Sequence, residues 1–423
     1  MKQRSIYQVF VRDYEGGTFA DVERDLPRIA GMGFNTLYLL PIHPIGVDGR
    51  KGTWGSPYAI SDYDAVEETL GGAEGFRSLV DAAHRIGLSV MMDIVIHHTA
   101  RDHAWVKEHP EYYMHDENGD ILIAVPEWSD IYDLDFSNKY LQEELARMLM
   151  RWVSFGVDGF RCDVASLVPY DFWERVIRES KKINPDFVWL AESVHRELVT
   201  ELRSQGFMAM GDGETAQLFD MLYPYDIHTW MLKAIQEKDL KVFQVLLNYV
   251  FAEYRAESRK TWWLENHDRD RAASLIPEEE RRMNWTAWTF LMHGAAFVYF
   301  GQEYGLTERP DIFEKKAVHC PDTDNDMIRL IRKLNQLRNQ YMDDILTAKV
   351  FENPSAMEFI DYGRTLDYYG CFNVNGEKGD LPVHLPDGRW KNEINGETVT
   401  VNGGMIPADA CPFFVSIPKG LGL

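Results

Sequence analysis

The strongest constraint on this chain is the placement of its acidic motifs. Four short segments each close an apolar run that reads as a strand: Asp93-Ile-Val-Ile-His97-His98, Gly159-Phe-Arg161-Cys-Asp163, Leu190-Ala-Glu192 and Glu265-Asn-His267-Asp268. Carboxylates at the ends of successive strands converge only if those strands lie side by side and point the same way. In a closed parallel barrel, that common end is where active sites are built.

The rest of the pattern agrees. Short runs rich in β-branched, aromatic and aliphatic residues fall at 7–11, 36–40, 89–94, 157–160, 188–191, 218–221, 262–264 and 296–299. Amphipathic stretches at 19–31, 75–86, 139–155, 170–182, 195–205 and 278–291 separate most of them. Eight strands alternating with helices predict an α/β fold, a (β/α)8 TIM barrel over residues 1–98 and 138–343. Residues 99–137 break the rhythm. They show no clean helix but contain Trp105, Tyr112, Tyr113, Trp128 and several acids. A long irregular insertion on the active-site side of a barrel is usually functional, so this lobe is expected to wall the cleft, with Trp105 or Trp128 lining it. Residues 344–423 change character: short runs at 348–351, 357–360, 365–372, 398–401 and 413–417 are divided by Gly-Asp, Asp-Gly and Asn-Gly turns, the pattern of an antiparallel β domain.

Composition narrows the partners. A net charge of −23 disfavours nucleic acid and anionic membrane, whereas a neutral sugar needs no steering field. Trp and Tyr number 12 and 20, and flat side chains can stack on the apolar faces of sugar rings. Cys162, Cys320, Cys371 and Cys411 form no CxxC pair, so no cysteine zinc site is expected, and their scarcity suits a reducing compartment. The chain starts Met-Lys-Gln-Arg and enters a strand-like run at once, with no apolar leader core and no run long enough to span a bilayer. A cytoplasmic location is the expectation.

Each motif has a chemistry. Asp163 and Arg161 share a face of the fourth strand because strands alternate with period 2. The guanidinium is expected to lower the Asp163 pKa and keep it ionised, as a nucleophile must be. Glu192 follows apolar Trp189-Leu-Ala, a setting that favours a raised pKa and a general acid. Asp93, inside strand sequence, is expected to be buried with a partner and to fix the loop bearing His97 and His98. His98 is placed to hydrogen-bond a sugar hydroxyl. Metal binding by the His-His pair is not expected, because adjacent side chains on an extended segment point opposite ways. His267 and Asp268 put an imidazole and a second carboxylate together, suited to gripping ring hydroxyls as an oxocarbenium ion develops.

These motifs, in this order, resemble the α-amylase family, family 13 of the glycoside hydrolases, over essentially the whole chain. Further matches are Gly33 with Leu40-Pro-Ile42, the segment Gly52-Thr-Trp54-Gly-Ser-Pro-Tyr58-Ala-Ile-Ser-Asp62-Tyr63, Asp133-Leu-Asp135, and Gly294 with Gly301-Gln-Glu303. The resemblance implies a barrel, a lobe inserted after strand three and a C-terminal β domain. It also implies roles: Asp163 as nucleophile, Glu192 as acid and base, and Asp268 as transition-state stabiliser. Tyr58, His98, Arg161, His267, Asp62, Arg271 and Trp54 become the substrate-binding set. Double displacement then gives net retention without a required cofactor.

Two departures stand out. Where many α-amylases carry a calcium-binding Asn, this chain has His97, leaving Asp133 as the one matching calcium ligand. Where endo-acting amylases often carry Lys-His after the nucleophile, it reads Val164-Ala-Ser-Leu-Val168. The resemblance therefore implies a retaining hydrolase of α-1,4-linked glucans or malto-oligosaccharides. A transglycosylase or isomerase on the same site is the alternative, and a non-catalytic carbohydrate-binding protein is the alternative of another class.

Overall fold

The computed structural model describes residues 4–254, 258–321 and 323–420. Its centre is a closed ring of eight strands: β1 (Ser5–Val9), β2 (Thr36–Leu39), β3 (Ser89–Ile94), β4 (Gly159–Cys162), β5 (Val188–Ala191), β6 (Met221–Leu222), β7 (Arg259–Trp262) and β8 (Ala295–Tyr299). Every neighbouring pair is parallel, and β1 closes the ring against β8.

Period-2 alternation builds two cores from one set of strands. Ile6, Tyr38, Met91, Leu190, Met221 and Phe297 gather inside the ring. Their sequence neighbours Tyr7, Leu37, Met92, Trp189, Leu222 and Val298 belong to the larger core between ring and helices. Gly159 has a steric reason: a Cβ there would lie 2.7 Å from the Val188 carbonyl oxygen and 3.2 Å from Met91 Cε.

The outer helices include α1 (Phe19–Gly31), α2 (Gly72–Arg85), α3 (Lys139–Phe155), α4 (Tyr170–Ile183), α5 (Arg196–Ser204), α6 (His228–Glu237), α7 (Lys241–Glu253), α8 (Glu279–Leu291) and α9 (Asp326–Tyr341). Their ends obey local chemistry. Thr18 and Asp21 form a reciprocal capping box on α1. Asn138 accepts from the amides of Tyr140 and Leu141 to start α3, and Gly156 at φ 110 ends it.

Several strand positions differ from the sequence reading. The seventh begins at Arg259 rather than 262, because Lys260 is buried and satisfied: Asp212 and Asp226 accept from its ammonium at 2.6 and 2.9 Å. The sixth is only Met221–Leu222 rather than 218–221, since 212–215 turn helically and Asp220 caps the Trp189 amide at 3.0 Å. Helices α6, α7 and α9 were not among those the sequence singled out.

Between β3 and α3 the chain leaves the barrel. Strand His98–Ala100 pairs antiparallel with Ile131–Asp133, placing His98 directly opposite Asp133. The expectation of no helix there fails by one turn, Trp105–Glu108. The C-terminal sheet is antiparallel, in the order β9 (Ile345–Phe351), β10 (Met357–Gly363), β11 (Leu366–Phe372) and β12 (Phe413–Pro418), with two small ribbons beside it. Among the described residues no helix is long and apolar enough to cross a membrane.

Candidate active site

Parallel register carries the acidic residues to one rim. Asp93 on β3 pairs with Arg161 on β4, which pairs with Leu190 on β5. The ladder continues one residue further: the Asp163 amide donates to the Ile94 carbonyl (2.9 Å) and the Glu192 amide to the Cys162 carbonyl (3.0 Å). Arg161 therefore lies one layer beneath Asp163, pointing the same way.

Arg161 is fully buried and organises the site. Its Nη1 lies 2.7 Å from Asp93 Oδ1 and 2.9 Å from Asp163 Oδ1, and its Nη2 lies 2.7 Å from Glu192 Oε1. One guanidinium thus serves three carboxylates. Glu192 Oε2 accepts from the Val164 amide at 2.9 Å. Val164 holds φ 36 and ψ 44, a left-handed conformation costly for a β-branched residue, and that turn aims its amide at Glu192.

Asp93 has a different job from the one expected. Its Oδ2 accepts from the hydroxyls of Tyr38 (2.6 Å) and Tyr58 (3.0 Å), and its Oδ1 meets Arg161, so it anchors the charge cluster rather than the histidine loop. His267 lies in the same layer. Gln8 Nε2 is 2.9 Å from its Nδ1, while its Nε2 lies 2.6 Å from the Tyr58 hydroxyl and 3.1 Å from Asp268 Oδ2. Its Nε2 is thus the ring nitrogen that faces Tyr58 and Asp268.

Burial pushes the Asp163 carboxyl well above the usual carboxylate range. The charges of Glu192 and Asp93 add to this, and Arg161 offsets only part of it. Arg161 lowers the carboxyl as expected, but burial, with the charges of Glu192 and Asp93, outweighs it, so the expected net lowering is corrected. Like charges this close retain a proton between them. Asp268 differs: against desolvation, the charge and hydrogen bond of His267 hold it down to about 2. Burial, with His97 beside it, pushes His98 down to about 3, so its imidazole is neutral.

Above these groups opens a cleft of about 410 Å³ lined by Tyr58, His98, Asp163, Glu192 and Asp268 from the expected set. Arg161 and His267 lie beneath its floor. Trp128 lines it, as expected of one of the lobe tryptophans, whereas Trp105 packs away from it on Tyr63, His103 and Tyr112. Three expected binding residues do not reach the cleft. Trp54 is 41% exposed at the rim and touches Phe313 through its backbone. Asp62 is exposed and accepts from the Asp64 amide. Arg271 is buried against Glu265, 2.6 Å away, and the Phe300 carbonyl.

Residues the sequence reading missed complete the walls. Val194, His195, Leu198, Tyr225 and Arg269 lie on the Glu192 side, and Lys51, Asp130, Ile312 and Phe313 lie elsewhere. Arg269 Nη2 is 2.9 Å from His195 Nε2 and its guanidinium covers the Tyr225 ring. Its place next to Asp268 was the one available signal. Val164, Val194 and Leu198 pack in one apolar cluster with Trp128, making a wall next to the acid.

Asp133 lies outside the cleft, as does His97, and both are close to His98, which lines it. The calcium implied by the resemblance does not fit these side chains: Asp133 Oδ2 is already used by the Ala124 amide at 2.6 Å, and the other groups at hand are imidazoles. Calcium takes six to eight oxygens.

Comparison with known proteins agrees with this geometry. Residues 12–121 and 116–349 match the family described as alpha amylase, catalytic domain, and residues 357–415 match the bacterial alpha amylase C-terminal domain. An alpha-amylase from Lactobacillus plantarum is similar over 99% of both chains, with 34% identity and a TM-score of 0.92. A maltogenic alpha-amylase from Thermotoga neapolitana is similar over 99% of both chains, at 32% identity and a TM-score of 0.85. Among curated proteins, the alpha-1,4-glucan:maltose-1-phosphate maltosyltransferase of Picrophilus torridus is 34% identical over 52% of this chain and 39% of its own length. The enzyme of that name from Arcanobacterium haemolyticum is 37% identical over 43% of this chain and 29% of its own. The matched region thus spans well under half of these curated relatives.

Proposed function

Because this chain belongs to the alpha-amylase family, we propose that it breaks α-1,4 bonds in short glucans by double displacement through a covalent intermediate on Asp163. The observation that carries this reading is the Arg161 fork. Holding Asp163 and Glu192 on adjacent nitrogens of one guanidinium keeps the two carboxylates close, the arrangement in which one attacks directly rather than through a water.

The steps follow from the groups present. Glu192 gives the shared proton to the glycosidic oxygen while Asp163 attacks the anomeric carbon, forming a β-linked ester and releasing the leaving sugar. Glu192, now ionised, takes a proton from the incoming hydroxyl as that oxygen displaces Asp163. Two inversions give α product. Asp268, ionised throughout, holds ring hydroxyls, and neutral His98 offers a hydrogen bond without added charge.

The incoming hydroxyl decides between hydrolysis and transfer. One observation favours transfer: the apolar wall of Val164, Val194, Leu198 and Trp128 stands beside Glu192, where an acceptor sugar's apolar face can pack and displace water. The maltosyltransferase relatives support the same reading, and the maltogenic neighbour supports a two-glucose unit. We therefore infer a maltosyl-handling enzyme in which transfer to a sugar competes with hydrolysis. Chromatography of products from maltotriose to maltoheptaose, with and without added maltose, and with maltose 1-phosphate as donor, tests this. Products longer than the substrate support transfer. Only shorter products, unaffected by acceptor, leave hydrolysis alone. Absence of any turnover contradicts both and favours a carbohydrate-binding role.

Two variants probe the assignment. Glu192→Gln is expected to lose roughly 10²–10⁴-fold on malto-oligosaccharides. It should lose far less in the first step with an activated aryl glycoside, whose leaving group needs little protonation. Equal losses on both substrates would remove Glu192 as the acid. Trp128→Ala is expected to lower the ratio of transfer to hydrolysis several-fold, read from the same chromatograms, and an unchanged ratio would take the apolar wall out of acceptor choice.

A further inference from the structure

We propose that His97, His98 and Asp133 form a binding site for one d-block divalent cation of the zinc type, joining the inserted lobe to the barrel. Among the described residues this is the one cluster of three metal-ligating side chains whose donor atoms lie within 4.8 Å of one another. Period-2 alternation argues against such a cluster, since neighbours on a strand diverge. The chain escapes that rule by bending at His97, between the end of β3 and the strand His98–Ala100. The two rings lie 5.7 Å apart at 82°, edge to face.

Three features point to a ligand. His97 Nδ1, His98 Nδ1 and Asp133 Oδ1 are all buried without a hydrogen-bond partner, while His98 and Asp133 are only 5% and 1% exposed. Buried polar atoms of this kind are rarely left unmatched. Second, His97 Nδ1 and Asp133 Oδ1 lie 3.4 Å apart, too far for a good hydrogen bond. That is about the edge of a tetrahedron around zinc with ligands at 2.0–2.1 Å. Third, the supports are already in place. The Ala124 amide holds Asp133 Oδ2 and leaves Oδ1 free, the Leu134 amide donates to the His97 carbonyl at 2.9 Å, and His98 pairs with Asp133 across the ribbon.

Two imidazoles and one carboxylate oxygen select zinc, cobalt or nickel over calcium. Water supplies the fourth position. Ligation through Nδ1 would also fix the His98 proton on Nε2, which lies 4.0 Å from Asp163 Oδ2 at the cleft.

The test uses the full chain stripped of metal by a chelator and titrated with Co²⁺, followed by visible absorption. The expected result is one equivalent bound with tetrahedral d–d bands, displaced one for one by Zn²⁺. Zn²⁺, unlike Ca²⁺, should raise the thermal midpoint. His97→Asn and Asp133→Asn should each weaken Co²⁺ binding by on the order of 100-fold or more. A wild-type chain with no d–d bands and no zinc-dependent midpoint overturns the proposal whatever the variants do. So does a calcium shift equal to that of zinc, or wild-type cobalt affinity in the folded His97→Asn protein.

Discussion

Asp163→Asn is expected to lose turnover by on the order of 10⁴-fold or more, the scale on which removing a covalent nucleophile acts, and to unfold at a higher temperature than the wild type near pH 7. The two effects share a cause. Burial and the neighbouring charges of Glu192 and Asp93 hold the Asp163 carboxyl well above its ordinary range. Between its unfolded and folded pKa values, the folded chain keeps a proton that the unfolded chain releases. Stability from this group is therefore present at low pH and lost as pH rises through the folded pKa. Asn cannot ionise, so the variant escapes that loss, and the gap in thermal midpoint should widen from pH 5 to pH 8. A variant that keeps substantial activity removes Asp163 from the chemistry. An inactive variant that is less stable at pH 8 contradicts the electrostatic account.

Arg161→Ala should have the largest structural effect. Its side chain is 1% exposed and is the cation shared by Asp93, Asp163 and Glu192. Removing one partner of a buried ion pair costs about 3–5 kcal/mol, because the remaining charge is left uncompensated. Here three carboxylates lose it together. Asp163, already raised, loses the guanidinium that lowers it, so the deficit grows as pH rises and shrinks in acid. Denaturant titration at pH 5 and pH 8 checks both size and sign. Loss below about 1 kcal/mol at pH 8 would mean that other groups neutralise the cluster.

Much of this site could be read from the chain because strand periodicity is rigid. Arg161 and Asp163 had to share a face, and Glu192 had to end the next strand at the same rim. That logic fails where the backbone leaves the ladder. The bend at His97 joined two imidazoles that alternation would separate. Asp93 was recognisable as buried, but its partners Arg161, Tyr38 and Tyr58 come from three other segments. Trp54, Asp62 and Arg271 look like binding residues because they lie near the cleft-lining Tyr58 and Asp268 in sequence. Each is instead turned away, to the rim, to a turn amide, or to Glu265. His195, Leu198 and Arg269 lie in loops and a helix start, where side-chain direction depends on the fold already formed.

The double-displacement account is tested most directly by trapping the intermediate. The full chain would be incubated with a fluorinated α-maltosyl fluoride that forms the ester but turns over slowly, then digested and sequenced by mass spectrometry. The account predicts one glycosyl adduct, on the peptide carrying Asp163, and α-anomeric product from the natural substrate. An adduct on Asp268 or Glu192, or β-anomeric product without any adduct, would contradict it.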